Sequence, residues 1–234
     1  MKKRMKWLIP LSAVAIVAVV AAVALILHLS APDPIVYEPG TVIYQDDQVS
    51  AKVVEPTPNR VTIHNEWMPR TANEIFGDTK IIAKGTIKNI REVKVSYDNY
   101  GKTDEWVYTF FDFHVSEYLK NTSSTKRNKQ VLTVGWLFSS YYYSPEVPTL
   151  EEGKEYIFFF EVPAEDDPND ALDRKEYTDV WVANPALTAF KKGDQGYSVN
   201  PVFLEYFQED RRGNISANLE DSIKEMAREY WEVG

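Results

Sequence analysis

From Glu105 to Tyr118 the sequence reads EWVYTFFDFHVSEY, and its period is two. Val107, Thr109, Phe111, Phe113 and Val115 share one side. Trp106, Tyr108, Phe110, Asp112, His114 and Ser116 share the other. Such alternation belongs to a β-strand, and β-branched and aromatic residues suit its pleated surface. The stretch before it, Lys80–Tyr97 (KIIAKGTIKNIREVKVSY), is longer still and rich in Ile and Val. Asp98–Asp104 (DNYGKTD) between them has turn composition. The spacing predicts one long hairpin, with Gly85 marking a bulge or bend in its first strand.

The remaining signals keep the fold mainly β. Thr41–Gln45 and Val49–Glu55 read as a hairpin about Asp46-Asp47, with Arg60–His64 as a short third strand. Gln130–Phe138 is a strand with an internal glycine, and Tyr177–Ala183 and Gly196–Asn200 are shorter ones. Lys154–Val162 (KEYIFFFEV) is nearly all apolar, as expected of a central strand covered on both faces. Two helices are expected. Thr71-Ala-Asn-Glu74 is a capping box opening a short helix to about Phe76, with Gly77 as its stop. At the C-terminus, Leu219, Ile223, Met226, Ala227 and Tyr230 recur at helical spacing. Ser216 or Asn218 would cap that helix, with Glu220 and Asp221 in its first turn.

The N-terminus has a different character. Lys2, Lys3, Arg4 and Lys6 form a basic tail over residues 1–6, and Trp7–Leu29 is 23 residues without one Asp, Glu, Lys or Arg. As a helix this run would be about 34 Å long at about 1.5 Å per residue, against about 30 Å of bilayer hydrocarbon. It is expected to be an uncleaved transmembrane signal-anchor. A cleavable signal would be shorter, and Leu29 and Pro32 make a poor cleavage site. Basic residues stay inside, so the N-terminus is expected to be cytoplasmic and the rest extracytoplasmic. His28 then sits at the outer interface. Residues 30–40 (SAPDPIVYEPG) read as a Pro-rich tether, and 41–234 as the outer domain.

Charge and composition remove several function classes. The 26 Lys+Arg against 35 Asp+Glu give a net charge of −9, which becomes −13 once the four tail cations are set aside. Nucleic acid is not an expected partner. With no Cys there is no disulfide, thiolate zinc site, cysteine nucleophile or lipidated cysteine.

Three stretches carry a resemblance: IIAKGTIKNI (81–90), FFDFHVSEYLKN (110–121) and LEEGKEYIFFFEV (150–162), with a late GYSVN. Their order over roughly residues 70–200 resembles secreted bacterial domains with an oligonucleotide/oligosaccharide-binding-like (OB-like) β-barrel. It is also distantly similar to the netrin and tissue-inhibitor-of-metalloproteinase module. The resemblance implies a barrel and no shared activity. Inhibition through an N-terminal cysteine does not carry over, and no functional residue transfers.

Chemistry-bearing constellations are sparse. His64 and His114 stand alone, although His114 shares a strand face with Asp112. No Gly-x-Ser-x-Gly, Walker or Gly-x-Gly-x-x-Gly motif occurs, so no cofactor is expected. Ser123-Ser124-Thr125-Lys126 reads as a polar turn. The acidic loop Glu165–Glu176 lacks EF-hand spacing; a loose calcium site there would draw on Asp166, Asp167 and Asp170, beside the simpler reading of a solvated loop. Asn121-Thr-Ser123 and Asn214-Ile-Ser216 match the glycosylation acceptor pattern.

The remaining feature is aromatic. In WLFSSYYYSPEVP, Trp136, Phe138, Tyr141, Tyr142 and Tyr143 cluster, and the three successive tyrosines cannot all face inward along an extended segment. Exposed aromatics stack on sugars and anchor peptides. Trp106, Tyr108, Trp136, Tyr141, Tyr142 and Tyr143 are the ligand-binding candidates, against a tyrosine-rich loop packed over the core. The expected function is noncatalytic binding of an envelope polysaccharide or a surface protein by a membrane-anchored extracytoplasmic domain. One alternative is a structural subunit of a membrane complex paired through small residues of the span, Ala13, Ala15, Ala18, Ala21, Ala22 and Ala24. Another is a hydrolase whose carboxylates are assembled by the fold.

Overall fold

The computed structural model describes residues 37–57, 61–62, 72–99, 101–123, 128–163, 177–199, 203 and 219–231. The uncharged Trp7–Leu29 run, most of residues 30–40, His28, His64, Asn214, the two cap candidates of the last helix and the acidic loop lie outside them. No helix among the described residues is long and apolar enough to cross a membrane.

The described chain is mainly β. A first hairpin joins β1 (Val42–Gln45) to β2 (Val49–Val54). Its turn is held by the Asp46 carboxylate, which accepts from the N–H groups of Gln48 and Val49 at 2.8 and 2.7 Å. β2 pairs with β4 (Ile81–Asn99), and β4 with β5 (Lys102–Asn121). This hairpin closes more tightly than its turn composition suggests, because Asp98 accepts from Gly101 N–H at 2.7 Å and Gly101 adopts φ 78°. The pairing thus runs to Asn99 and Lys102.

β4 does not run straight. Besides a shift at Ile82/Ala83, its register against β5 changes at Lys84/Gly85 and at Lys88/Arg91. At the first, a Cβ on Gly85 would press into the His114 carbonyl and the Phe113 ring. At the second, Asn89 takes φ 52°, a conformation asparagine tolerates better than most residues. The glycine bend is where the sequence places it; the asparagine bulge is additional.

The two bends let β4 serve two neighbours beyond β5. Its first half, Ile81–Thr86, pairs with β8 (Glu155–Glu161), and its second half with β2. β5 continues to β6 (Val131–Trp136), β6 pairs in parallel with β9 (Val180–Val182), and β9 pairs antiparallel with β8. The hydrogen-bonded order β4–β5–β6–β9–β8 therefore returns to β4. Gly135 permits the parallel contact, since a Cβ there would collide with the Trp181 ring.

Alternation along these strands feeds separate cores. Inside the ring lie Ile81, Ala83, Ile87, Phe111, Phe113, Leu132, Val134, Tyr156, Phe158 and Phe160. Outside it, Ile82, Ile157 and Phe159 meet the helices. Beneath the first hairpin, Val49, Ala51, Val53, Val93 and Val95 pack with Tyr108, Phe110, Tyr177 and Trp181. β8 is thus covered on both faces, as its apolar run suggests.

Helix α1 (Ala72–Asp78) runs past Gly77, which has no positive φ and is not its stop. The end is made instead by Thr79, whose N–H and hydroxyl reach the Ile75 carbonyl, and by Lys120, whose ammonium bonds the Phe76 carbonyl. Two short elements were not legible, α2 (Pro185–Thr188) and β10 (Ala189–Gly193) against β8, whereas β11 (Gly196–Tyr197) falls within the strand expected over Gly196–Asn200. Between β2 and α1 in the chain, β3 (Val61–Thr62) pairs in parallel with β7 (Tyr142–Tyr143). The last helix, α3 (Leu219–Trp231), buries Leu219, Ile223, Met226 and Ala227.

Candidate functional site

The aromatic segment begins where β6 ends. Phe138's carbonyl accepts the Thr109 N–H at 3.1 Å, so the chain leaves along the edge of β5. It then turns about Ser139, whose Oγ accepts from the N–H groups of Tyr141 and Tyr142 at 3.2 and 3.1 Å. Glu92, only 8 % exposed, anchors the next residue, accepting from both the N–H and the hydroxyl of Ser140. Ser140 Oγ in turn accepts from Thr57 N–H at 2.8 Å, and Val61 N–H donates to the Tyr141 carbonyl at 2.7 Å. The tyrosines are therefore presented by a pinned loop.

The rings of Tyr141 and Tyr142 meet, and Tyr142 also meets one strand residue. Tyr141 and Tyr142 are edge to face at 4.8 Å, and Tyr142 lies 5.6 Å from the Trp106 ring at a tilt of 34°. Trp106 and Tyr143 are 41 % and 40 % exposed. Leu137 and Val61, the neighbours of this segment in chain and in sheet, are also exposed. Burial, with Tyr141 beside it, holds the Tyr142 phenol above its ordinary pKa, so it stays a neutral donor.

A cleft of about 220 Å³ opens beside these rings. Trp136 and Phe138 form its floor, Tyr142, Tyr143, Val147 and Pro148 line its walls, and Ser139, Ser140 and Ser144 contribute polar groups. None of its described lining residues carries a charge.

The structure divides the sequence-derived candidates. Trp106, Tyr141 and Tyr142 come together, and Tyr143 joins Tyr142 in lining the cleft. Tyr108 does not join them: it is 5 % exposed and packs edge-on against Trp181 at 5.3 Å, because this part of β5 turns its inner face onto the hairpin core. Trp136 is a core residue rather than an exposed one, at 3 % exposure against Phe111 and Phe158, and reaches the site only as cleft floor. Asp166, Asp167 and Asp170 lie outside the described residues.

Two charged residues were missed. Glu92 positions the loop, and Arg91 is buried beneath Tyr37, 4.1 Å from its ring, with Asp112 at 3.0 Å. The signal that could have found them is Asn89, whose bulge offsets the alternation before two residues that look solvent-facing.

Asp112 is thereby committed to Arg91 and to Asn89 Nδ2, at 2.8 Å. Burial and the nearby Lys88 hold His114 below its ordinary pKa against the pull of Asp112, leaving a neutral imidazole at neutral pH. Another cavity, about 330 Å³, is lined by Arg91, Lys129, Asp179 and Tyr177. Its cations are already paired, Arg91 with Asp112 and Lys129 with Asp179. Among the described residues, no three His, Asp or Glu side chains converge in a metal-binding arrangement.

What the tyrosine site offers is stacking faces and neutral hydrogen-bonding groups on a pinned scaffold, the chemistry of recognition. Comparison with family models, with curated proteins and with solved structures finds no match for this chain.

Proposed function

We propose that this chain is a membrane-anchored, extracytoplasmic, noncatalytic binding module. The observation that carries the reading is the contact of Trp106, Tyr141 and Tyr142 beside an uncharged cleft that Tyr142 and Tyr143 line. Leaving large aromatic faces in water has a cost that a partner removes, and Glu92 spends a buried carboxylate on holding their loop. The anchor rests on the uncharged Trp7–Leu29 run behind four cations. The ligand is an envelope component or a surface protein.

The fold proposed for the outer part is an OB-like barrel. Its support is the five-strand circuit with one parallel pair. Barrels of this class bind across the face of their second and third strands and the adjoining loops. Here those strands are β5 and β6, which flank the tyrosine loop.

The test uses full-length protein in detergent micelles and a variant with Tyr141, Tyr142 and Tyr143 each replaced by Ser. Both are passed over envelope fractions of the source organism. The variant should lose at least about tenfold in retention, as expected for removal of stacking anchors, while keeping its melting transition. Equal retention of the two proteins would overturn the assignment of the site.

A further inference from the structure

An edge of β5 that no described strand covers says what kind of ligand this site takes. Backbone groups of successive residues in an antiparallel strand point alternately to its two neighbours. Thr109 N–H reaches the Phe138 carbonyl and Val115 N–H the Gln130 carbonyl, both on the side away from β4. The odd-numbered residues of β5 therefore face away from β4. Pairing with β6 covers only Thr109–His114. The N–H and C=O groups of Thr103, Glu105 and Val107 consequently have no backbone partner among the described residues.

This edge passes the aromatic cluster. Trp106 projects from between its unpaired residues and stacks toward Tyr142. An added strand would have its alternate side chains beside the exposed Trp106 ring, since directly opposed residues share a face.

We infer that the site binds an extended, basic polypeptide segment, which adds as a further strand along Thr103–Val107 and sets an apolar side chain against Trp106 and Tyr142. This rests on the binding reading above and names its ligand. Charge selects the sign. The chain outside its basic tail is strongly acidic, and at this end of the hairpin Asp98, Asp104 and Glu105 outnumber by one the cations Lys94, which pairs with Glu105 at 3.0 Å, and Lys102. A second copy is the wrong occupant, because antiparallel addition centred on Glu105 would set that carboxylate against its twin between two chains of the same net sign.

The test selects peptides from a random dodecapeptide phage library on the full-length protein in micelles. Synthetic versions are then measured by fluorescence anisotropy. Selected peptides should favour Lys and Arg over Asp and Glu. N-methylation at one set of alternate residues should weaken binding at least about tenfold, and at the other set leave it nearly unchanged, because only one set faces the strand edge. Val107→Pro removes an outward N–H without touching the ladder to β4, a substitution edge strands accept, and should weaken binding by a similar factor of about ten. Failure to enrich peptides, enrichment of acidic ones, or indifference to both N-methylation and Val107→Pro overturns the inference. If the Tyr→Ser variant still loses envelope retention in those cases, the site stands with another ligand, such as a neutral oligosaccharide. If that variant binds like the parent, the site itself is wrong.

Discussion

Two glycines of similar appearance in the sequence do opposite work, and substitution separates them. Gly135 lies where β6 meets β9, and the volume of a Cβ is already filled by the Trp181 ring. Gly77 lies within α1, has no positive φ, and has nothing within 4 Å of where its Cβ would be. Gly135→Ala should therefore destabilise by about 1–3 kcal/mol, the usual cost of overpacking, read as a lower urea midpoint at constant slope. Gly77→Ala should stabilise by up to about 1 kcal/mol through the higher helix propensity of alanine. Equal midpoints for the two variants would contradict the packing described for the ring. Glu92 makes the complementary point. A charge in a strand reads as solvent-facing, yet this one is buried and holds Ser140, so sequence alternation predicts it only if the Asn89 bulge is known.

Among the elements, α3 is fastened by charge as well as by its apolar face. Lys84 lies 2.6 Å from Glu220 and 3.1 Å from Glu117, and Lys224 lies 2.9 Å and 3.0 Å from the same carboxylates. Burial pushes Glu117 and Glu220 upward, but their hydrogen bonds to the two lysines outweigh it and hold both below the usual carboxylate range. A depressed folded pKa gives stability that is present above the unfolded value and lost as pH falls through the folded one. The attachment of α3 should therefore weaken below about pH 4.5, given unfolded glutamate values near 4.3. Glu220→Gln should cost about 0.5–1.5 kcal/mol at neutral pH and flatten the acid slope, measured by urea unfolding between pH 3 and 7. An unchanged slope would mean that the network does not fasten the helix. α3 itself was legible, because Leu219, Ile223 and Met226 repeat at helical spacing; so were the long hairpin and β8. Beyond the pairing within that hairpin, the partners of these strands were not. The β6–β9 pair is parallel, three residues of β9 suffice for it, and nothing local in VWV specifies a neighbour some 45 residues earlier. The site was half legible for the same reason: adjacent tyrosines cannot all point inward, but whether Tyr108 and Trp136 do depends on which strands cover them.

For the whole molecule, the acid-side loss has a counterpart at high pH. Tyr156 is fully buried inside the ring, stacked on Phe158 at 5.0 Å, with its hydroxyl donating to the Thr149 carbonyl and accepting from Glu151 N–H at 2.9 Å. Burial and the Glu151 charge push its pKa up to about 12, against the opposing effect of that N–H. Tyr197 is raised further, first by burial and then by its hydrogen bond to Glu155 and the surrounding carboxylates. Both phenols are neutral in the folded chain, while an unfolded tyrosine ionises near 10. A raised folded pKa contributes stability that is complete below the unfolded value and disappears as pH climbs through the folded one. Stability should thus be level through the neutral range and decline from about pH 10 toward 12, while each ionisation adds negative charge to a chain that already carries −9. Tyrosinate absorbance should rise in two stages. Exposed tyrosines among the 14 should titrate reversibly near pH 10, and the rest should appear only with cooperative unfolding followed by circular dichroism. Tyr156→Phe should lose about 1–2 kcal/mol at pH 7 with its hydrogen bonds, yet show a shallower decline above pH 10 because the ionising group is gone. If every tyrosine titrates smoothly near pH 10 in a chain that stays folded, Tyr156 is not enclosed by the β4–β5–β6–β9–β8 circuit. The closure that places the edge of β5 that no described strand covers and the tyrosine loop side by side would then be wrong as well.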